Sequence, residues 1–186
     1  MPTVYPQCIT DLDTITITAA WPAYSSGEPH SGTDIVTGNH RVYAPQSGTI
    51  VTIFTDGGYN GGWGNYIKVR MDTADERYWL AAHFDTLSVS MGQHLNAGDF
   101  LGIQGETGHT TGVHTHFEYY VGGAATSYRT DPASILRLPG QAGVYNVSWD
   151  ADVDPDPGPG PDQPGPSPGP LKIPIWLLFK IANNRR

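Results

Sequence analysis

His114-Thr115-His116-Phe117-Glu118-Tyr119-Tyr120-Val121 is the stretch on which the reading of this chain turns. Its aromatic and β-branched residues suit an extended backbone. On a strand, side chains at i and i+2 leave the same face, so His114 and His116 point into one cleft while Thr115 faces away. One imidazole can then bind a metal while the other stays free to move a proton.

Similar short runs recur outward from it. Thr14–Thr18 alternates Ile and Thr, Thr49–Phe54 is β-branched and apolar, and Tyr66–Met71, Arg77–Ala82 and Phe100–Gln104 complete the set. Turn formers separate them: Asp56-Gly57-Gly58, Asn60-Gly61-Gly62, Ala97-Gly98-Asp99 and Gly122-Gly123. Pro132–Leu138 is the one moderately helical stretch. The chain has 23 glycines and only 15% charged residues, a composition unlike that of long helices. The pattern predicts an all-β or mostly-β domain over residues 1–150.

Beyond it the composition changes. Residues 151–170 are dominated by Pro, Gly and Asp, cannot bury a core, and read as an extended spacer reaching on the order of 50 Å. Residues 171–186 place Trp176, Leu177, Leu178, Phe179 and Ile181 beside Lys172, Lys180, Arg185 and Arg186. This tail is too short to span a bilayer and is expected to dock on a membrane surface, wall, virion partner or its own domain.

A net charge of −8 argues against a general nucleic-acid binder, which needs clustered basic residues. The single cysteine, Cys8, excludes an internal disulfide and a Cys-rich zinc site. The amino-terminal residues lack the basic and apolar regions of a secretory signal, so the expected setting is a phage lysin or virion component rather than a classically secreted protein.

His30-Ser31-Gly32-Thr33-Asp34 offers imidazole and carboxylate ligands across a glycine that lets the backbone bend. Three protein ligands with one open position mark a catalytic zinc, and His30, Asp34 and either His114 or His116 would supply them. His83 ends the apolar run Tyr78–Ala82, where it is either a buried hydrogen-bonded residue or a proton carrier over the cleft. His40, His94 and His109 read as surface residues.

In order and spacing, these pieces over residues 20–137 resemble the LytM/lysostaphin-type metallopeptidases, peptidase family M23. His30-Ser31-Gly32-Thr33-Asp34 is similar to the family's HxGxD segment. Val42–Pro45 with Gly48–Val51 resembles the strand pair that follows, and Gly62-Trp63-Gly64-Asn65-Tyr66 its GxGN-aromatic segment. Trp79–Leu87 is similar to the strand carrying a free histidine. Gly92-Gln93 with Ala97-Gly98-Asp99 resembles a turn pair, Gly105–Gly108 with Thr111–Glu118 the GxTG and HLHFE motifs, and Asp131-Pro132 the closing segment. Two positions depart from the pattern: Ala19–Tyr24 lacks the usual arginine-containing turn, and Thr115 stands where Leu or Met is common.

The resemblance implies an antiparallel, sandwich-like β domain with Gly-rich loops around a groove. It implies Zn2+ held by His30, Asp34 and His116, and His83 and His114 as unligated catalytic histidines. General-base action is expected of His114 and stabilisation of developing negative charge of His83, with the division of labour between them left open. It implies hydrolysis of peptide cross-links or stem peptides of bacterial peptidoglycan, with the loops 57–63 and 107–112 flanking the substrate. Glu118 could orient a ligand from behind. Two rivals compete: a catalytically inactive relative that binds wall or activates another hydrolase, and a lipoyl- or biotinyl-type carrier. A carrier needs a lysine at a hairpin tip, and Lys68, the lysine of the folded region, has strand context instead.

Overall fold

A computed structural model describes residues 3–4, 9–10 and 14–147, all within the unit Met1–Asp156. The spacer 151–170 and the tail 171–186 lie outside the described residues. Among the described residues thirteen strands form two sheets: β1 (Thr3–Val4), β2 (Thr14–Ala19), β3 (Thr33–Val36), β4 (Arg41–Tyr43), β5 (Gly48–Phe54), β6 (Tyr66–Met71), β7 (Arg77–Ala82), β8 (Phe84–Leu87), β9 (His94–Leu95), β10 (Phe100–Gln104), β11 (Thr115–Val121), β12 (Arg129–Thr130) and β13 (Gly143–Val147). The larger sheet runs β1-β13-β2-β3-β11-β7-β6-β5-β9, with β12 also on β11, and the smaller runs β4-β10-β8. Pairing is antiparallel except between β1 and β13. The expected mostly-β, antiparallel fold is the one observed. The helical stretch is reduced to one turn, α1 (Ala133–Leu136), whose Ala133 N–H is capped by Asp131. None of the described helices is long and apolar enough to cross a membrane.

Alternation on the strands builds the core. Ile15, Ile17, Ile35, Ile67, Val69, Trp79, Ala81 and Phe117 of the large sheet meet Val42, Phe84 and Leu101 of the small one. The opposite face of β6, β7 and β11 carries a second cluster, Tyr66, Leu80, Ala82 and Tyr120, and the even-numbered residues of β11 look that way. A period of two therefore divides β11 between core and site.

Two readings need correction. The stretch Trp79–Leu87 is not one strand: β7 belongs to the large sheet and β8 to the small one, and His83, just past the end of β7, is the corner between them. Its φ of 66° is left-handed, which a non-glycine residue adopts only when its surroundings hold it there. Likewise β11 begins at Thr115, and His114 makes an isolated bridge with Gly105 before it.

Candidate metal centre

Register assembles the site. In the β3–β11 ladder His116 sits opposite Asp34, and across β11–β7 it sits opposite Ala82, the residue before His83. Directly opposed residues on one sheet face are nearest neighbours. A slip of one residue on β11 would turn His116 into the core and Phe117 into the cleft. The chain enters β3 through Ser31-Gly32, which brings His30 alongside. Glycine at position 32 is required by proximity: a Cβ there would lie 2.1 Å from the Phe117 carbonyl oxygen and 2.9 Å from two atoms of the His116 ring. The expected bend is present, but the residue's smallness matters because a strand and a ligand ring close over it.

Three donor atoms converge. His30 Nε2 lies 3.1 Å from Asp34 Oδ1 and 3.2 Å from His116 Nδ1, and His116 Nδ1 lies 2.7 Å from Asp34 Oδ1. All three residues are buried. A tetrahedral zinc with bonds of about 2.0–2.1 Å spaces its ligands about 3.3 Å apart, so this triangle fits such an ion. Of the two histidines that residue spacing leaves open, His116 is the one whose donor atom lies with those of His30 and Asp34. His114 Nε2 stands 3.5 Å from the same carboxylate oxygen, outside the triangle.

The other two imidazoles have fixed tautomers. His83 Nδ1 is 2.8 Å from the Thr107 carbonyl, and His114 Nδ1 is 2.8 Å from the Gly112 carbonyl, with Thr110 Oγ1 at 3.1 Å. A carbonyl only accepts, so each Nδ1 carries the proton and each Nε2 keeps its lone pair. The two rings are 4.7 Å apart, and His83 is 5.8 Å from His116.

Electrostatics follow from burial and proximity. Burial acts to raise the Asp34 carboxyl, but hydrogen bonds with His116 and His30 outweigh it and hold it well below the usual carboxylate range. Burial acts to lower His116, and its bonds to Asp34 and Glu118 overcome this, lifting it to about 9. His83 is drawn down to about 4, chiefly by burial and further by His114 and His116, against its bond to Thr107. Glu118, despite burial, is pulled to about 2 by His116, Tyr120 and Arg129.

The Gly-rich loops pack on one another beside His83. The His83 N–H donates to the Trp63 carbonyl at 3.0 Å and the His109 N–H to the Gly62 carbonyl at 2.8 Å. Asn65 is their anchor: its amide donates to the Phe84 carbonyl at 3.0 Å and its oxygen accepts from Gly57 N–H at 2.8 Å, while its own N–H donates to Thr107 Oγ1 at 2.9 Å. Thr115 faces away from the site, as expected, and its hydroxyl accepts from Gln104 at 3.0 Å. His40, His94 and His109 are exposed and outside the cluster. Lys68 lies within β6, not at a hairpin tip, with its ammonium 4.1 Å from the Tyr120 ring centre.

Sequence reasoning assigned no role to Tyr24. Its ring lies 4.2 Å from that of His30 at the exposed rim, and burial together with the Asp34 charge raises its phenol, keeping the O–H as a donor. Its place six residues before His30 is the sole trace in the chain.

Fold and donor set together define a β-sheet protein with a His–Asp–His metal-type cluster and two spare imidazoles. Residues 28–128 match the profile of peptidase family M23, and the chain belongs to that family. It is 31% identical to lysostaphin of Staphylococcus simulans over 121 residues, which is 64% of this chain and 24% of that protein. It is 31% identical over 94 residues to the peptidoglycan DD-endopeptidase ShyB of Vibrio cholerae, covering 50% of this chain and 21% of ShyB. The matched region is thus less than a quarter of either relative. Among solved structures, the catalytic domain of lysostaphin superposes with a TM-score of 0.56 at 27% identity, covering 72% of this chain and 98% of that domain. A zinc-containing peptidase from Vibrio cholerae gives 0.54 at 25%, covering 73% and 41%.

Proposed function

We propose that this chain is a zinc-dependent endopeptidase that hydrolyses peptide cross-links or stem peptides of bacterial peptidoglycan, acting at the cell wall. The observation that carries the reading is the triangle of His30, Asp34 and His116 donor atoms with two further imidazoles beside it. Relatives named for peptidoglycan cleavage and a zinc-containing structural neighbour support it.

Held by His30, Asp34 and His116, zinc would polarise the scissile carbonyl and supply an acidified water near neutral pH. His114, with Nδ1–H spent on Gly112, offers Nε2 as the general base. His83 is neutral at rest and presents an acceptor, so it stabilises developing negative charge only after receiving a proton; we assign it to proton carriage towards the leaving amine. Tyr24 offers its O–H to the developing oxyanion from the rim. The loops carrying Tyr59, Trp63 and His109 form the wall against which the peptide lies. We place the domain in a phage lysin or virion setting, tethered through residues 151–186; a genomic neighbourhood without phage genes would count against that.

The test joins metal content and wall lysis. Zinc per chain by elemental analysis and turbidity loss of purified peptidoglycan are measured for the wild type and His116→Ala. About one zinc per chain with lysis, both lost in the variant, is the expected result. A metal-free wild type that binds walls without cutting them would replace this function with that of an inactive wall-binding relative.

A further inference from the structure

We propose that Glu118 is the positioning residue for His116, holding its ring so that Nδ1 faces the metal position, and that Trp63 and Ser31 tie this support to the substrate loop and to the His30 segment. The inference rests on the metal-site reading above and concerns this chain's own residues.

Glu118 is fully buried, two residues beyond His116 on the same face of β11. Burying a carboxylate costs several kcal/mol unless hydrogen bonds compensate it, by about the amounts that hold for buried ions generally. Here compensation is unusually complete. Oε1 lies 2.8 Å from Ser31 Oγ, 3.1 Å from Trp63 Nε1 and 3.2 Å from His116 Nε2. Oε2 accepts from Arg129 Nε at 2.9 Å and from the Tyr120 hydroxyl. With four other donors holding the carboxylate still, the contact to Nε2 has a fixed direction. A carboxylate accepts, so Nε2 keeps a proton in either charge state of the ring, and Nδ1, the atom 2.7 Å from Asp34 and 3.2 Å from His30 Nε2, is the nitrogen that offers a lone pair to a metal once its own proton is displaced.

The two imidazoles of the triangle differ in this respect. His30 Nδ1 is buried and has no hydrogen-bond partner among the described residues. The tilted Tyr24 ring lies beside it instead, its centre 4.2 Å away. Carboxylate support is therefore given to His116 alone. Ser31, next to His30 in sequence, donates to Glu118 and lies 3.2 Å from His116 Nε2, so the two imidazole segments share one anchor. Trp63 reaches Glu118 with its indole N–H and receives the His83 N–H on its carbonyl. One loop residue thus touches the support of a ligand and the corner that carries a spare imidazole.

The experiment uses the full chain and reads zinc affinity by chelator competition, the visible spectrum of the Co2+-substituted protein, and thermal stability of the metal-free form. Glu118→Ala is expected to weaken zinc binding about 10–100-fold and to shift the Co2+ bands. Glu118→Gln should fall between it and the wild type, because its carboxamide oxygen still accepts from Nε2. Trp63→Phe, which keeps the ring and removes one donor, should give a smaller loss in the same direction. A purely structural Glu118 would lower the melting temperature while leaving the affinity and Co2+ spectrum of the folded protein unchanged, and that outcome overturns the proposal. If the Glu118 variants do not fold, Trp63→Phe and Ser31→Ala decide: wild-type affinity and spectrum in both overturn it equally. A wild type that binds no zinc would sink the metal-site reading itself, which is a separate result.

Discussion

Gly32→Ala puts the smallest possible side chain where β3, β11 and a ligand ring meet. The new Cβ would lie 2.1 Å from the Phe117 carbonyl oxygen and 2.9 Å from His116 Cε1 and Nε2. A carbon–oxygen contact normally rests at about 3.3 Å, so the strand entry must retreat by roughly 1.2 Å. The obstacle is backbone on one side and a buried ring on the other, and neither is a flexible side-chain end. Overpacking of this kind costs about 1–3 kcal/mol, and the rigid surroundings favour the upper figure. At about 2–4 °C per kcal/mol for a chain of this size, the metal-free protein should melt about 6–12 °C lower. The displaced segment also carries His30 and Asp34, whose donor atoms sit only 2.7–3.2 Å from their partners. Zinc affinity should therefore fall as well. Differential scanning fluorimetry with chelator present isolates the scaffold term, and chelator competition gives the metal term. A variant that melts within a degree of wild type and binds zinc equally would refute the argument that proximity, rather than local bending, requires glycine at this position.

Other predictions rest on independent contacts. His114→Gln and His83→Gln should each keep zinc and lose about 10²–10⁴ in kcat, measured on purified peptidoglycan; loss of metal in either would contradict their unligated placement. Zinc must displace the proton that His116 holds up to about 9, so affinity should fall as pH drops below 9 and level off above it. Competition titrations that are flat from pH 6 to 9 would refute this. Asn65→Ala removes the amide that joins residue 57 to Phe84 and should destabilise the protein by about 1–3 kcal/mol in urea titrations. It should also lower activity by loosening the loop whose Thr107 carbonyl orients His83.

Much of this molecule was legible in linear form because strand periodicity is local. Tyr66–Met71, Arg77–Ala82 and Phe100–Gln104 appear with the bounds their alternation predicts. The short strands β3, β9 and β12 do not stand out in the pattern, since two to four residues carry too little periodicity to separate them from loops. His83 follows β7 as the pattern predicts, but apolar character continues through Phe84 and nothing local signals that the backbone turns there into another sheet. Tyr24 was passed over because a ring contact with His30 has no spacing signature.

What the sequence determined by itself was the inventory: a β-rich domain, HxGxD and HxH segments in order, a lone histidine after an apolar run, and acidic rather than nucleic-acid-binding character. These depend on residue type and short-range spacing, which the chain states directly. What only the tertiary structure decided was which atoms meet. The β3–β11 register put Asp34 opposite His116 rather than His114, the Thr107 and Gly112 carbonyls of one loop set the tautomers of His83 and His114, and five donors from four segments gathered on Glu118. The β3–β11 pairing at its centre joins Asp34 and His116, 82 positions apart, and contacts at that separation leave no local trace in a sequence.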